Sequence, residues 1–388
     1  MALRFLTAGE SHGKTLLGIL EGVPAGLEIT AGYIDAELKR RKLGYGRGAR
    51  QKIESDRVEI LAGIRHGKSL GSPIGLAIAN QDFKNWQEIM QPEPFSGDVA
   101  RRVDVPRPGH ADLAGALKYG HSQDMRNVLE RASARETTMR VALASVARKL
   151  LEDFGVFIAS RVIRIGAVLD DSPLGLPIPE LNAAADASPV RCPSPKPQSQ
   201  MIAAIEAAKK EGDSLGGVFE VYACDPPVGL GSYVHWDRRF EGRLAQAFMS
   251  LNAVKGVEIG LGFASGAAPG SRVHDAYRWD AERARVLYES NRSGGIDGGM
   301  TTGQPLVVRA VMKPLATLMQ PLRSVNLATH EDAAAHIERS DVCSVPAAAV
   351  IGESLLALEL CAALLEKFGV DSMPELRGRV QEWRAKRL

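Results

Sequence analysis

The stretch AGESHGKT (residues 8–15) decides which class of fold the chain can adopt, because it fits the relaxed form of a nucleotide-binding P-loop. A P-loop needs a strand, a tight Gly-rich turn and a helix that begins at once, so that backbone N–H groups face the phosphates. The segment ALRFLT before it predicts a strand. The segment LLGILEGVPAGLEI after it holds three glycines and a proline. In a helix interior each glycine costs roughly 1 kcal/mol and proline about 3 kcal/mol, so no P-loop helix of ordinary length fits there.

Without that helix, the stretch predicts a tight turn that presents Glu10, Ser11, His12 and Lys14. Such a turn suits the binding of an anion or the transfer of a proton. A second apolar run, VIRIGAVLDD (residues 162–171), ends in acidic residues as a Walker B strand does. We interpret it as an ordinary buried strand followed by a turn.

Composition places the chain among globular proteins with a substantial core. Of its 388 residues 45% are hydrophobic, and 48 lysines and arginines nearly balance 46 aspartates and glutamates. A net charge near zero offers no general attraction for nucleic acid or membranes, so anion binding must come from local clusters. The N-terminus lacks the plan of a secretion signal, and the four cysteines lack metal-like or redox spacing. We expect a cytoplasmic protein with free thiols and without metal, nucleic-acid or membrane partners.

The length leaves the number of domains open. A chain of 388 residues is long enough for two domains, although large single domains of mixed α and β structure also reach this size. The segment DASPVRCPSPKPQSQ (residues 186–200) is the most linker-like part of the sequence. It predicts either a domain boundary or a surface loop within one domain.

The order of helix and strand signals favours antiparallel sheets. Helical patterns are strongest in AGYIDAELKRRKLG, DMRNVLERASARETTMRVALASVARKLLEDFG, RRFEGRLAQAFMSLNAVKG and residues 345–369. The second predicts one long helix from a cap at Asp124 to Gly155, and the last predicts a helix buried in the core or at an interface. Several strand-like segments between them, such as GGVFEVYACDPPVGLG, are neighbours without an intervening helix, which argues against a doubly wound parallel sheet.

Basic residues cluster in two Gly-containing segments of the N-terminal half. In RRKLGYGRGAR (residues 40–50) the first three residues could complement a helix C-terminus, at about 0.3–1 kcal/mol each. Arg47 and Arg50 lie beyond the glycines of the bend, which favours an anion-binding role. In RPGHADLAGALKYG (residues 107–120) Arg107 precedes His110 by a short, rigid link, so His110 is either a structural or a catalytic histidine.

Two arginines of the predicted long helix, Arg131 and Arg135, are four residues apart and therefore share one face. Like charges at that spacing repel each other unless an anion or a carboxylate lies over them. Glu130 and Glu136 could pair with them on the surface. The pattern is compatible both with an anion site and with ordinary surface ion pairs.

Two segments of the C-terminal half complete the inventory. The loop GGIDGG (residues 294–299) has four glycines, and a backbone without Cβ atoms can approach a flat or phosphorylated ligand closely. The segment IERSDVC brings Arg339, Ser340 and Asp341 together after a helical stretch. Each of these segments is ambiguous when it is taken alone.

Taken together, the order and wording of these segments resemble one family, chorismate synthase, over almost the whole chain. The resemblance rests on TAGESHG, RRKLGYGRGAR, RPGHADLAGALKYG, RNVLERASARET, NAVKGVEIG, RSGGIDGGMTTGQP, MKPLAT and ERSDVCSVPA. Thr302, where many members have Asn, and the link KYGHSQDMR depart from the usual pattern beside the motifs. The family implies one domain over residues 1–388, an α+β fold of the β-α-β sandwich type with helices packed between antiparallel sheets, and a homotetramer.

Members of this family convert 5-enolpyruvylshikimate 3-phosphate to chorismate, the last step of the shikimate pathway, and need reduced FMN although no net redox change occurs. The reaction is an anti-1,4-elimination of phosphate and a ring hydrogen. A substrate with one phosphate and two carboxylates requires several fixed cations, and arginine can grip an oxyanion with two parallel hydrogen bonds. A P-loop-like nucleotide or phosphosugar-binding protein is the alternative.

The resemblance also implies the roles of individual residues. The substrate side comprises Arg41, Arg47, Arg50, Arg107, Arg135 and Arg339, and Arg41 and Arg47 also match positions for NADPH as a reductant. FMN is implied to contact Arg131, Ala132, Ser133, Asn252, Ala253, Gly298, Lys313, Pro314, Leu315, Ala316, Thr317 and Arg339. For catalysis, His12 points to the phosphate and His110 to the reduced flavin, while Asp341, relayed through Ser11, is the candidate base.

Overall fold

The computed structural model describes residues 3–48, 53–97, 99–282 and 284–386. Within these ranges the helices are α1 (Ala31–Lys42), α2 (Asp112–Tyr119), α3 (Arg126–Ala132), α4 (Thr137–Glu152), α5 (Ile178–Ala187), α6 (Pro195–Lys210), α7 (Phe240–Met249), α8 (Val345–Phe368) and α9 (Met373–Ala385). The strands are β1 (Arg4–Ala8), β2 (Thr15–Glu21), β3 (Val58–Ala62), β4 (Ile64–Arg65), β5 (Lys68–Ser69), β6 (Ile74–Ala79), β7 (Ile158–Ile165), β8 (Val168–Leu169), β9 (Gly217–Ala223), β10 (Val254–Ile259), β11 (Tyr277–Asp280), β12 (Arg285–Tyr288), β13 (Ile296–Asp297), β14 (Met300–Thr301), β15 (Leu306–Met312), β16 (Arg323–Val325) and β17 (Asp332–Ala334).

The stretch AGESHGKT is the turn of a β-hairpin. Strand β1 pairs antiparallel with β2, so a strand and not a helix begins at Thr15. Gly9 has a φ of +108°, and a Cβ there would lie 2.5 Å from the carbonyl oxygen of Thr15, so the turn requires glycine. The predicted tight turn is confirmed, and the geometry of a P-loop is excluded.

Two antiparallel sheets enclose a layer of helices. The first sheet has the order β1-β2-β6-β3 and the second has the order β10-β15-β9-β7-β8. Helix α4 packs on β2 and β6 of the first sheet, α8 packs on β7 and β9 of the second, and α4 packs on α8. The predicted α+β class, with helices between antiparallel sheets, is confirmed.

Helix α8 forms the centre of this layer because nearly all its side chains are apolar and buried. By length and composition it could cross a membrane, but 94% of its most apolar window is buried within the protein, as expected of a core helix. At Gly352 the helix comes so close to the second sheet that a Cβ would lie 2.8 Å from Phe219. The predicted buried helix is confirmed.

A network of buried ion pairs joins this helix to its neighbours. Glu353 of α8 accepts hydrogen bonds from Arg40 (2.7 Å), Arg148 (2.6 Å) and Arg191 (3.1 Å). Burial alone would raise the pKa of Glu353, but the three arginines hold it far below its usual range. The arginines also pair with the carboxylates of Glu37 and Asp186. Positive and negative charges are therefore matched within the network.

Three predictions of local structure were wrong. The segment before Arg339 is not helical, because Asp332–Ala334 form strand β17 and residues 335–339 lie in neither a helix nor a strand. The expected helix from Asp124 to Gly155 is broken at Ser133, whose extended backbone (φ −64°, ψ 141°) separates α3 from a short 3₁₀ turn and α4. The linker-like segment 186–200 is not a surface loop, because Val190, Arg191 and Cys192 in it are buried. Helix α6 then begins at Pro195, where proline at the first helical position is favourable.

Candidate functional site

A cavity of about 460 Å³ lies where the β1–β2 turn, the α3–α4 break and the N-terminal end of α8 meet. Segments that follow α7 and β15 complete its wall. It brings together most residues that the sequence predicted for the site: Ser11, His12, Arg41, Arg47, Arg107, His110, Ala132, Ser133, Arg135, Asn252, Ala253, Lys313, Leu315, Ala316, Thr317, Arg339 and Asp341. These residues are spread over more than 300 positions of the sequence, and the fold collects them in one place.

His12 is buried, with 6% of its surface exposed, and its contacts are well defined. Its Nδ1 lies 2.9 and 3.1 Å from the two carboxylate oxygens of Glu130, and its backbone N–H donates to the same carboxylate (2.8 Å). The ring stacks on Trp86 with centroids 3.8 Å apart. Burial alone would raise the pKa of Glu130, but hydrogen bonds and charge from His12, together with Arg126, outweigh it and lower the pKa.

His110 also has a carboxylate partner, but it is more exposed. Its Nδ1 lies 2.5 Å from Asp112, which is fully buried, while 22% of the His110 side chain is exposed. Arg107 donates to Asp112 through Nε (2.8 Å) and to Thr317 through Nη1 (2.9 Å). Burial alone would raise the pKa of Asp112, yet its bonds with His110 and Arg107 hold it far below the usual range. Asp112 is therefore a fixed anion between two cavity residues.

The arginines of the cavity differ in how their charge is balanced. Arg135 pairs with Asp56 (2.5 Å) and Glu54 (3.4 Å), Arg47 pairs with Asp341 (2.8 Å), and Arg339 pairs with Asp82 (2.6 Å). Arg41, by contrast, donates to the neutral oxygens of Thr137 and Ala134 in the part of the chain that the structure describes. Among the residues that the structure describes, no carboxylate lies within 4.0 Å of its guanidinium.

The buried charge of Arg41 therefore has no direct ionic partner among the described residues, and Asp56 and Asp341 attract it only from beyond 4.0 Å. Arg41 is only 4% exposed, and its burial, followed by repulsion from the nearby Arg47, lowers its pKa to about 9. At that pKa the guanidinium is still protonated at neutral pH. Since an isolated buried charge is costly, an anion bound in the cavity would stabilise this arrangement.

The candidate base Asp341 lies on the same cavity. It accepts hydrogen bonds from the backbone of Gly48 (2.6 Å) and from the Ser344 hydroxyl (2.5 Å), in addition to its ion pair with Arg47. Ser11 donates through its hydroxyl to Ser133 (3.1 Å). The structure brings Ser11 and Asp341 to one cavity, and the relay between them stays a prediction.

Comparison with known proteins identifies the family of the chain that forms this cavity. Residues 3–365 match the family model described as chorismate synthase. The chain is 55% identical to the chorismate synthase of Symbiobacterium thermophilum over 378 residues, which cover 96% of both chains. It is 54% identical to the enzyme of Geobacillus kaustophilus over 384 residues, or 98% of both chains. The chain belongs to the chorismate synthase family. A crystal structure of a chorismate synthase superimposes with a TM-score of 0.78 at 41% identity, covering 99% of this chain and 97% of that one.

Four residues that the chorismate synthase resemblance assigned to ligands are not seen at the cavity: three described residues lie outside its lining, and one is outside the described residues. Arg131 is exposed and donates to the backbone oxygens of Thr7 and Gly9, because the break at Ser133 turns it away from Arg135. Their predicted common face was therefore wrong. The suggested surface pairs were wrong as well, because Glu130 is buried against His12 and Glu136 pairs with Arg140.

The other three are Gly298, Pro314 and Arg50. Gly298 lies in the turn between β13 and β14. The carbonyl oxygen of the following residue, Gly299, accepts a hydrogen bond from the backbone N–H of Phe240 at the start of α7. The cavity residue Asn252 follows the other end of this ten-residue helix, about 15 Å away. Pro314 lies between lining residues, and Arg50 is outside the described residues. Their ligand contacts stay predictions.

The sequence interpretation missed the residues that hold the site in place. Asp112 lies within a motif of the sequence, two residues after His110, and Glu130 was considered only as one possible surface partner of the arginines. The segment NQDFKNW (residues 80–86) carried no signal, yet Asn80 bonds to the β1–β2 turn and to Arg135. Asp82 in this segment bonds to both Arg339 and Trp86. A carboxylate close to a predicted catalytic histidine was the signal that could have identified Asp112.

Proposed function

We propose that the chain catalyses the anti-1,4-elimination of phosphate from 5-enolpyruvylshikimate 3-phosphate, giving chorismate, with reduced FMN. The family supports the type of reaction, because the relatives named above are chorismate synthases. The substrate brings one phosphate and two carboxylates to the site. A protein that binds it needs several fixed cations and a group that can stabilise the departing phosphate.

The incompletely balanced charge of Arg41 is the observation that carries this proposal. Its guanidinium is buried beside Arg47 and Arg135, and its recorded hydrogen bonds end on neutral oxygens. An arginine that only stabilised the fold would be expected to pair with a carboxylate, as Arg40 does. We infer that an oxyanion of the substrate completes the charge balance of Arg41.

The donor and acceptor groups of the cavity suit a flavin. Asn252 donates to the backbone oxygen of Ala132 (2.9 Å), while its buried Oδ1 has no hydrogen-bond partner in the described part of the chain. That oxygen could accept an N–H of a flavin ring. We propose that the segment from Lys313 to Thr317 and residues Ala132, Ser133, Asn252 and Ala253 hold the cofactor. When bound, reduced FMN would supply the electron density that starts cleavage of the C–O bond.

The two histidines and Asp341 provide the proton chemistry in this proposal. His12, as an imidazolium, stabilises the phosphate as its negative charge develops. His110, which contacts Arg107 and Asp112, is proposed to stabilise the charge that develops on the reduced flavin. We assign proton acceptance to Asp341, which lines the cavity and whose carboxylate is held by Arg47, Gly48 and Ser344.

We further propose that residues 1–388 form one domain of a cytoplasmic homotetramer. The main cluster of buried apolar side chains includes residues from Leu16 to Val380, which supports one domain. Association is supported by the outer face of the first sheet, where Leu6 (74% exposed) is opposite Ile19 (51% exposed) in the β1–β2 pair. Light scattering coupled to size-exclusion chromatography tests the tetramer, and a monomeric mass would contradict it.

The catalytic proposal is tested by anaerobic turnover of 5-enolpyruvylshikimate 3-phosphate with chemically reduced FMN. We expect phosphate release and chorismate absorbance to rise together. Parallel reactions contain oxidised FMN with NADPH, which tests whether the chain reduces its own flavin, or ATP alone, which should give nothing. A folded, FMN-binding sample that forms no chorismate in any reaction would contradict the proposal.

A further inference from the structure

The ring of His12 is held on more than one side by groups outside the predicted site. Trp86 covers one face, with the two ring planes only 21° from parallel. Glu130 faces the Nδ1 edge, and the backbone N–H of His12 bonds to the same carboxylate. Glu130 also fixes the preceding residue, because its carbonyl oxygen accepts the backbone N–H of Ser11 (3.0 Å). The orientation of the imidazole is therefore determined before any ligand binds.

The protonation of Glu130 follows from its surroundings. It is 2% exposed and accepts a hydrogen bond from Arg126 (3.1 Å), which in turn donates to Glu338 (2.9 Å). Independently of the imidazole, which is the largest favourable influence, the backbone N–H of His12 and the guanidinium of Arg126 favour the ionised carboxylate. An ionised carboxylate accepts hydrogen bonds but cannot donate them. The proton between Glu130 and His12 must therefore be carried by Nδ1 of the imidazole.

We propose that Glu130 is a positioning residue that keeps a proton on Nδ1 of His12 and so reserves Nε2 for the reacting phosphate. This inference deepens the proposed function and rests on it for the identity of the ligand. In the neutral ring the only exchangeable proton is then on Nδ1, and Nε2 has a free lone pair. In the imidazolium Nε2 carries the proton that is offered to the phosphate oxygen, and the Glu130 carboxylate stabilises the positive ring.

The proposed arrangement has a direct consequence for a neutral histidine. Which nitrogen carries the proton is set by the hydrogen bond that the other nitrogen makes. A free histidine side chain prefers its proton on Nε2, and Glu130 reverses this preference at His12. If Nε2 carried the proton in the neutral ring, Nε2 would have no lone pair to accept a further proton. His12 would then have to rotate its ring each time it gave up a proton and took one back. Its stack on Trp86 opposes that rotation.

The tautomer can be measured by nitrogen-15 NMR in the absence of substrate and flavin. Protein labelled at histidine and deuterated elsewhere is examined at alkaline pH, and the His12 signals are assigned by their loss in His12→Gln. We expect the neutral His12 ring to carry its proton on Nδ1. A proton on Nε2 in the wild-type protein would overturn the proposal, even if the variants described next do not fold.

A matched pair of variants separates positioning from general stability. Glu130→Gln should move the proton of the neutral His12 ring to Nε2 and reduce turnover by roughly 100-fold. Glu136→Gln, the same change at a buried glutamate that pairs with Arg140, should alter neither the His12 signals nor turnover. An unchanged tautomer in Glu130→Gln would overturn the proposal. Because the spectrum needs no substrate, the expected tautomer together with no turnover in any variant would contradict only the proposed reaction.

Discussion

Arg40 and Arg41 are adjacent on α1 and have opposite electrostatic surroundings. Successive residues of a helix are about 100° apart, so the two side chains leave α1 in different directions. Arg40 enters the core network, where Glu37, Asp186 and Glu353 surround it. Arg41 enters the cavity, where its recorded partners are a hydroxyl and a backbone oxygen.

This difference gives a physical criterion for separating a structural cluster from a ligand site. Where buried charges are matched inside the protein, as around Glu353, nothing further is needed to balance them. Where the carboxylates lie beyond direct contact with a buried cation, as at Arg41, more of the cost of burial is left for a bound anion to offset. The same number of arginines can therefore indicate either a core or a binding site, and the carboxylates decide between them.

Disrupting the network of buried ion pairs around Glu353 should produce the largest loss of stability. Glu353→Gln leaves Arg40, Arg148 and Arg191 buried with much of their charge uncompensated, and we expect the free energy of unfolding to fall by about 3–5 kcal/mol. Equilibrium denaturation measures it. The control Glu366→Gln alters an exposed partner of Arg243 on the same helix and should cost less than about 1 kcal/mol. Equal losses of stability in Glu353→Gln and Glu366→Gln would show that the buried network contributes no more than an exposed ion pair.

The two neighbouring arginines provide the most direct test. Arg40→Met should lower the free energy of unfolding by about 2–3 kcal/mol, because it removes charged hydrogen bonds from the network. Arg41→Met should cost less than about 1 kcal/mol, since it removes a charge that has no ionic partner. The stabilisation of the wild-type protein by inorganic phosphate, seen as a rise in melting temperature, should be retained in the first variant and lost in the second. The reverse pattern would show that Arg40 faces the ligand.

The network of buried ion pairs around Glu353 should also make the free energy of unfolding depend on pH in the acidic range. The pKa of Glu353 is lower in the folded protein than in the unfolded chain, where a glutamate titrates near about 4.3. Its contribution is therefore complete above that pH and is lost progressively as the pH falls toward the folded pKa. We expect the difference in unfolding free energy between wild type and Glu353→Gln to be constant from about pH 6 to 8 and to shrink below about pH 4. A difference that grew in acid would contradict the assigned direction.

The sequence predicted the parts of this molecule that depend on short, contiguous patterns. Glycines and a proline after the β1–β2 turn excluded a P-loop helix, and neighbouring strand segments predicted antiparallel sheets. His12 and His110 lie within motifs of a few residues, so the resemblance identified them. Each of these signals is local in the chain.

The partners of those residues could not be predicted in the same way. Glu130 is 118 positions from His12, and helical spacing alone placed it on a surface. Its burial depends on the break at Ser133, and no proline or glycine in the adjacent sequence predicts that break. The different directions of Arg40 and Arg41 depend likewise on Glu353, 313 positions away from Arg40. Charge matching is a property of the folded molecule.

Arg339 shares features with both groups of arginines, those of the ion-pair network around Glu353 and those of the cavity. Substituting it should have the smallest effect on stability. It lines the cavity, yet it pairs with Asp82 at 2.6 Å, and 47% of its side chain is exposed. Arg339→Gln should lower the free energy of unfolding by only about 0.5–1 kcal/mol, because solvent screens the pair.

The same variant should still weaken stabilisation by inorganic phosphate, with an apparent dissociation constant about tenfold higher, equivalent to about 1.4 kcal/mol. Arg323→Gln, which alters an exposed pair with Asp332 away from the lining residues, should change neither quantity appreciably. Full retention of phosphate binding in Arg339→Gln would mean that a cavity arginine with a matched carboxylate does not contact the anion. The criterion would then apply to Arg339 as it does to Arg40, and Arg41 would stand as the principal anion contact.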